Sequence, residues 1–531
     1  TNEHQDIYGL GYAIPNRALF YEVKMIKEAG FDFIRCSHYP HDPAFYDACD
    51  SLGILVMNCL TGWQNFPNTT TFNNNTFKEC REMVRRDRNH PCVVIWETSL
   101  NESRYDNAWA QKAHDAAHAE YPGDQMFTNG YRTSVFDVFS DAAAHDALYN
   151  EGTRPVIVAE YGDWEYGGFT SSSRVLRESS DNSLLTQASN HKHRMNTNRG
   201  YSWFSVDAFW CFNDYGSVLL KGPFFGGAVD MYRIPKFSYY FFKSQRSPKE
   251  SMPGVSMGPM VYIANTWRQG SPTTVKVFSN CESVSLYKDG TLIATRNPDT
   301  DTDSRRLEHP PFTFSGLTFS PGTIKADGKI GGTVVATHSR TTPGAASAVR
   351  LRPISTDLLM ADGSDERLVW IDIVDANGTV VPSSTANVTL TATGATILGP
   401  STVAMKGGQL ATWVRAGTKG GSITVSASSS GLTNGTLTLS TGTTAISPKR
   451  RISSALPAAT HTTMARVIGN TMRLPAKYES SVKTVAVYDI TGRLVYQTTT
   501  NKQVIRFPGN RQLPRQVYVF TVSAQVAHQH Q

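Results

Sequence analysis

Along the first half of the chain the apolar positions alternate between two periods. Leu19, Val23, Ile26 and Ala29 recur three or four apart and stop at Gly30, which predicts a helix over 17–30. A short apolar run over 31–36 follows, then a helix over 43–52 opening after Asp42-Pro43, then a second run over 53–57. The alternation continues with a helix over 74–88, a strand from Val93, a helix over 106–120 and short strands near 126–128 and 137–139. A strand ending at Glu160, a polar helical stretch over 172–199, a strand over 207–212 and a closing helix over 236–245 complete it. Runs of β-branched residues without polar alternation read as strands covered on both faces, and helices between them predict a parallel (β/α) barrel. Seven strands are counted where a closed barrel has eight. The expected fold is therefore a (β/α)8 TIM barrel lacking its first strand, which would lie just before Thr1 with residues 4–6 as the loop after it.

Beyond about residue 250 the period drops to two, with Val/Thr/Ser runs between Gly and Asn turns, the pattern of immunoglobulin-like β-sandwiches. The expected class is multidomain α/β plus all-β. Its parts are a barrel over 1–248, an accessory sandwich over 249–348 and an immunoglobulin-like sandwich over 349–440. A Ser/Thr/Pro/Ala-rich linker over 441–462 and a small β domain over 463–531 follow. Residues 274–280 and 284–290 read as a hairpin pair, and 368–378 as the clearest strand and turn.

Composition narrows the class without changing it. At 531 residues the chain exceeds one core, and 40% hydrophobic with 18% charged residues describes a globular protein. The net charge of +6 gathers into no basic stripe, so no nucleic-acid partner is expected. No run of eighteen apolar residues exists, so no transmembrane helix is predicted. Thr1–Asp6 is polar, unlike a signal peptide, and the chain reads as part of a longer protein. Seven cysteines in mostly apolar segments, without C-x-x-C spacing, read as small core residues, and no metal ligand or cofactor is assigned.

The candidate chemistry lies in two glutamates. Glu160 ends its apolar strand and Glu102 follows closely on the run 93–96, so both fall at the rim where barrel enzymes work. A carboxylate pair there is what glycoside hydrolysis requires, one protonating the leaving oxygen and the other attacking the anomeric carbon or activating water.

Three segments carry a resemblance. Ile34-Arg35-Cys36-Ser37-His38-Tyr39-Pro40, Cys49-Asp50-Ser51-Leu52-Gly53-Ile54-Leu55-Val56, and Arg86-Asp87-Arg88-Asn89-His90-Pro91 followed by Trp96 and Asn101-Glu102 resemble the ordered motifs of glycoside hydrolase family 2. The resemblance implies that Glu102 is the general acid/base and Glu160 the nucleophile of a retaining exo-β-glycosidase acting on terminal sugars of oligo- or polysaccharides. It implies that Asn101 meets the sugar 2-hydroxyl, that Arg35 and His38 line the sugar site, and that Trp210 and Asp214 contact the pyranose. Trp63 and Trp164 are weaker loop candidates, and Glu97 an unfavoured alternative acid. Two departures bear on specificity. Residues 57–63 lack the acidic and His ligands that some β-galactosidases of the family use for a divalent ion. Residues 224–230 lack the Asn-x-Lys pair that β-glucuronidases use for the sugar carboxylate, although Lys221 or Arg233 are potential substitutes. The resemblance thus favours β-galactosidase-like specificity, with β-glucuronidase, β-mannosidase or a non-catalytic surface carbohydrate-binding protein as alternatives. Finally, 485–495 with 513–519 resemble the sorting domain of the Bacteroidota type IX secretion system, apart from Gln516 where Gly is usual. That resemblance implies the secretion machinery as a partner and a secreted or cell-surface location.

Overall fold

The computed structural model describes residues 1–123, 126–128, 135, 137–142, 156–201, 204–217, 220 and 222–442, and in the tail 466–468, 471–473, 483–488, 494–502, 504–506 and 519–524. The chain divides into two compact units, Thr1–Thr443 and Thr444–Gln531.

In the first unit eight parallel strands follow in order: β1 (Asn2–Glu3), β2 (Phe33–Cys36), β3 (Leu55–Cys59), β4 (Val93–Glu97), β5 (Met126–Thr128), β6 (Phe139–Ala142), β7 (Val156–Tyr161) and β8 (Phe204–Phe209). They form two ladders, β1-β2-β3-β4-β5 and β6-β7-β8. The seam between β8 and β1 is closed by Phe212 N donating to Asn2 O at 3.0 Å. The seam between β5 and β6 is closed by Asp137 N and Val138 N donating to Phe127 O at 2.9 and 3.3 Å.

The first strand was expected before Thr1, but its position is held by Asn2–Glu3, which pair in parallel with Arg35 and Cys36. Two polar residues carry no apolar period, which is why the sequence did not reveal them. Asn2 compensates with its side chain, donating to Ala159 O at 2.7 Å across the barrel floor.

Among the described residues six helices surround the strands: α1 (Asn16–Glu28), α2 (Pro43–Leu52), α3 (Thr70–Asp87), α4 (Asn107–Glu120), α5 (Asp181–Asn198) and α6 (Phe237–Ser244). Their ends follow local chemistry. Asp42 accepts from Ala44 N ahead of Pro43, and Gly53 closes α2 at φ +63°. That left-handed turn delays β3 to Leu55, two residues later than expected. Thr69 caps Phe72 N, so α3 starts at 70 rather than 74, and Ser180 caps α5 at 181 rather than 172. The barrel core packs Trp96, Phe127, Phe209, Phe212 and Phe242 between strands and helices.

Two β-sandwiches complete the first unit. In the first, Val261–Ile263, Val275–Ser279 and Phe312–Phe314 face Thr291–Arg296, Ser283–Lys288, Thr323–Ile330 and Thr333–Thr341. The expected hairpin between 274–280 and 284–290 is therefore wrong: the two strands lie in opposite sheets. Both bury one apolar face (Val275 and Val277; Val284 and Leu286), and the link 280–282 crosses between the sheets so that these faces meet. The second sandwich begins earlier than 349, because Ala346–Pro353 is one strand paired with Glu366–Asp375. It grips the loop after β1, where Trp413 Nε1 donates to Tyr8 O at 3.0 Å.

The second unit holds two three-stranded antiparallel sheets, Arg466–Ile468 with Thr471–Arg473 and Val504–Arg506, and Lys483–Tyr488 between Leu494–Thr500 and Val519–Ala524. The expected linker 441–462 starts two residues too early, because the strand Gly435–Gly442 runs through them; 443–462 and Gln516 lie outside the described residues. No described helix is long and apolar enough to cross a membrane.

Candidate active site

Arg35, at the end of β2, organises the rim. Its guanidinium donates bidentately to Glu97 (Nε to Oε2 2.8 Å, Nη2 to Oε1 2.9 Å), to Glu160 Oε1 at 2.7 Å, to Asn101 Oδ1 at 3.1 Å and to Asn2 Oδ1 at 3.1 Å. The Arg35 side chain is 1% exposed while Glu160 is 19% exposed, so the arginine forms the floor and the glutamate faces the opening. Glu97 is buried under Arg35 and also accepts from Cys59 Sγ and Ser99 Oγ. Its carboxyl stays below the usual range: burial opposes ionisation, and the Arg35 charge outweighs it. It is a positioning carboxylate, out of reach as an acid.

Glu160 carries the opposite perturbation. Burial in the cleft and the nearby Glu102 charge raise its pKa to about 7 against the pull of Arg35. Gly162 at φ +97° lets the chain turn away directly after it; a Cβ there would meet the His191 ring at 2.9 Å.

Glu102 is exposed and sits at φ +50°, a left-handed conformation costing an ordinary residue about 1–2 kcal/mol. Two loops hold it. Gln64 N donates to Asn101 O at 2.9 Å and Asn101 N to Gly62 O at 3.1 Å, tying the loop after β3 to that after β4. Trp63 Nε1 and Gln64 Nε2 then donate to Glu102 Oε2 at 2.9 and 2.6 Å.

The remaining candidates separate. His38 Nε2 stands 3.3 Å from Asn101 Nδ2 and 3.8 Å from Glu160 Oε1, and its ring stacks on Trp210 at 5.5 Å. Burial, with Arg35 adding to it, pushes the His38 pKa well down, leaving a neutral imidazole. Trp210 is half-buried, with His4 edge-on at 5.4 Å. Asp214 does not join them. It is 1% exposed, accepts from Lys236 Nζ and Gly227 N at 2.8 Å each, and serves as a buried ion-pair partner rather than a sugar ligand. A Cβ on Gly227 would lie 2.4 Å from Asp214 N, so only glycine allows this approach. The sequence placed Asp214 by proximity to Trp210 but could not show Lys236, twenty-two residues on, reaching it. Trp63 and Gln64 were under-read or missed because loop residues carry no period. His4 and Tyr215, 4.0 Å apart beside Trp210, gave no signal either.

In the segment 57–63, Asn58 is committed to Tyr46 and Asp87, and Cys59 to Glu97. A cavity of about 520 Å³ lies elsewhere, where Arg177, Tyr240, Tyr262, Arg340, Arg352 and Trp370 meet between barrel and sandwiches. None of the rim residues lines it.

A carboxylate pair at the carboxyl-terminal rim of a (β/α)8 barrel, one member gripped by arginine, defines a glycoside-hydrolase type of site. Residues 1–218 match the glycosyl hydrolases family 2 TIM barrel domain and 353–438 match glycoside hydrolase family 2 C-terminal domain 5; this chain belongs to that family. Residues 270–336 match a domain of unknown function. The chain is 30% identical over 459 residues to a β-galactosidase of Thermoanaerobacter pseudethanolicus, covering 81% of this chain and 59% of that protein. It is 27% identical over 425 residues to a β-glucuronidase of Formosa agariphila, covering 73% and 40%. It thus spans less than two thirds of either relative. Among solved structures, a β-glucuronidase from glycoside hydrolase family 2 superposes with TM-score 0.67 at 20% identity, over 98% of this chain and 66% of that one. A β-glycosidase from Bacteroides vulgatus gives 0.66 at 20% identity, over 83% and 63%.

Proposed function

We propose that the chain carries the catalytic part of a retaining exo-β-glycosidase with β-galactosidase-like specificity. The observation that carries this reading is Glu160, facing the cleft with Arg35 at 2.7 Å and close enough to Glu102 for their charges to interact. Arg35 orients one carboxylate oxygen and leaves the other for the anomeric carbon. Glu160 attacks, the bond to the leaving oxygen breaks, and Glu102 gives that oxygen its proton. Glu102 then takes a proton from water, which displaces Glu160 from the sugar.

A neutral sugar is favoured because four buried or half-buried cations of the barrel are committed. Arg35 binds Glu97 and Glu160, Arg174 binds Asp163, Lys236 binds Asp214, and Arg233 binds Glu22. A uronate would enter without a free partner among these, and burying an unpaired charge is costly. The β-glucuronidase reading has its own support in the name of the Formosa relative, and Lys221 lies outside the described residues. The parent protein is further proposed to leave the cell through the type IX route, on the tail motif alone.

The test is inactivation by 2-deoxy-2-fluoro glycosides of galactose and glucuronic acid, followed by peptide mapping. A galactosyl adduct on Glu160 supports the reading, a glucuronyl adduct alone replaces the sugar, and an adduct on another residue removes Glu160 as nucleophile.

A further inference from the structure

Away from the cleft, α4 places His114 and His118 one turn apart on one face. Asp137 enters from the segment leading into β6. His118 Nε2 lies 3.1 Å from Asp137 Oδ2, and His114 Nε2 lies 3.5 Å from Asp137 Oδ1. One ligand atom from each of the three residues falls within 4.8 Å of the others. Around tetrahedral zinc, ligand atoms bound at about 2.0–2.1 Å stand roughly 3.3 Å apart; the two nitrogen–oxygen spacings, one to each oxygen of Asp137, lie on either side of that length. Both ring nitrogens of His114 are buried without a hydrogen-bond partner among the described residues. Leaving such a group unsatisfied in the folded state is costly. The carboxylate is held in place by Phe127 N, which donates to Asp137 Oδ2 at 3.1 Å, the support a ligating carboxylate usually has. Asp115 stands 3.9 Å behind His114 Nδ1.

We propose that His114, His118 and Asp137 bind one divalent transition-metal ion, zinc by donor chemistry, which clasps α4 to the seam between β5 and β6. Two imidazoles and a carboxylate suit zinc, whereas magnesium and calcium prefer all-oxygen sites. The place fits a structural role. α4 ends and β6 begins at the amino-terminal rim of the barrel, opposite the carboxylates, and there the ladder is interrupted and held by the two bonds to Phe127 O. A second cluster, Asp50, His90 and Cys92, competes poorly. Both Asp50 oxygens already accept hydrogen bonds at 2.8 Å, and burial pushes the Cys92 thiol up, away from thiolate.

The experiment titrates zinc into the untagged, metal-stripped full chain against a chromophoric chelator. One equivalent binding at micromolar concentration or tighter is expected, with affinity falling at least tenfold in Asp137→Asn and in His118→Ala. Affinity unchanged in Cys92→Ala and in a His528→Ala/His530→Ala variant is also expected. No saturable binding, unchanged affinity in the Asp137 and His118 variants, or a loss confined to either control overturns the proposal. Should a variant fail to fold, cobalt in the unaltered chain decides: four-coordinate visible bands support the site, and six-coordinate cobalt alone overturns it.

Discussion

At the residue scale, the roles proposed for the two glutamates are argued from their surroundings. Glu102, exposed and held among the described residues by Trp63 and Gln64, is the group proposed to trade protons with a leaving group and with water. Glu102→Ala is expected to lose about 10²–10⁴-fold on substrates with poor leaving groups and little on activated aryl glycosides, with azide restoring turnover of the latter. Comparing kcat/KM across a leaving-group series checks this, and an equal loss throughout would remove the acid role. Glu160 sits at about pH 7, raised from 4.5, so the folded state retains its proton through that window. Its contribution to stability is full below pH 4.5 and lost as pH rises through 7, while activity, which needs the carboxylate, rises over the same range. The acid limb of kcat/KM on an activated aryl glycoside is therefore expected near pH 7. Glu102→Gln removes a repelling charge and should move that limb to lower pH. A limb that stays put would mean that Glu102 does not set the Glu160 pKa.

At the scale of elements, the site depends on what strand and helix ends bring together. Arg35 on β2 bridges Glu97 on β4 and Glu160 on β7, a contact 125 residues apart in sequence at its longest. Glu97→Gln keeps the size of this support but removes its charge, and a fall of about a hundred-fold in kcat with the fold retained is expected from misplacing Arg35. Kinetics beside circular dichroism would read this; normal kcat would show that Arg35 needs no charged support. Lys236, just before α6, and Asp214, beyond β8, are buried together. Lys236→Met strands the Asp214 carboxyl and should cost about 3 kcal/mol, seen as a lower denaturation midpoint, with turnover per folded molecule retained. The helical spacing of His114 and His118 was visible in the chain, but a pair at i and i+4 says nothing of a carboxylate until β5 and β6 meet.

At the scale of the whole molecule, the second sandwich supports the catalytic rim. Trp413 is 3% exposed, packs in one cluster with Ile7 and Ile14, and holds Tyr8 O in the loop that begins at His4. Trp413→Ala is expected to cost about 3–5 kcal/mol and to lower activity beyond the loss of folded protein, which thermal unfolding and active-site titration would separate. The tail forms its own compact unit, so removing 444–531 should leave kcat unchanged. A clear fall would give the tail a part in the barrel's work.

The sequence by itself determined the barrel, the sandwiches, the order of helices and strands, and the two rim glutamates, because each is written in local period and short motifs. It began α3 at 74 instead of 70 and α5 at 172 instead of 181, where a capping Thr69 or Ser180 overrode the apolar count. It missed β1, whose two polar residues carry no period. Only the tertiary structure decided that Asp214 belongs to Lys236, that Glu97 supports rather than reacts, and that strands 275–279 and 283–288 part into opposite sheets. These outcomes rest on contacts between residues distant in sequence. Burial and charge pairing exist only once the chain has closed on itself, and no local pattern encodes them.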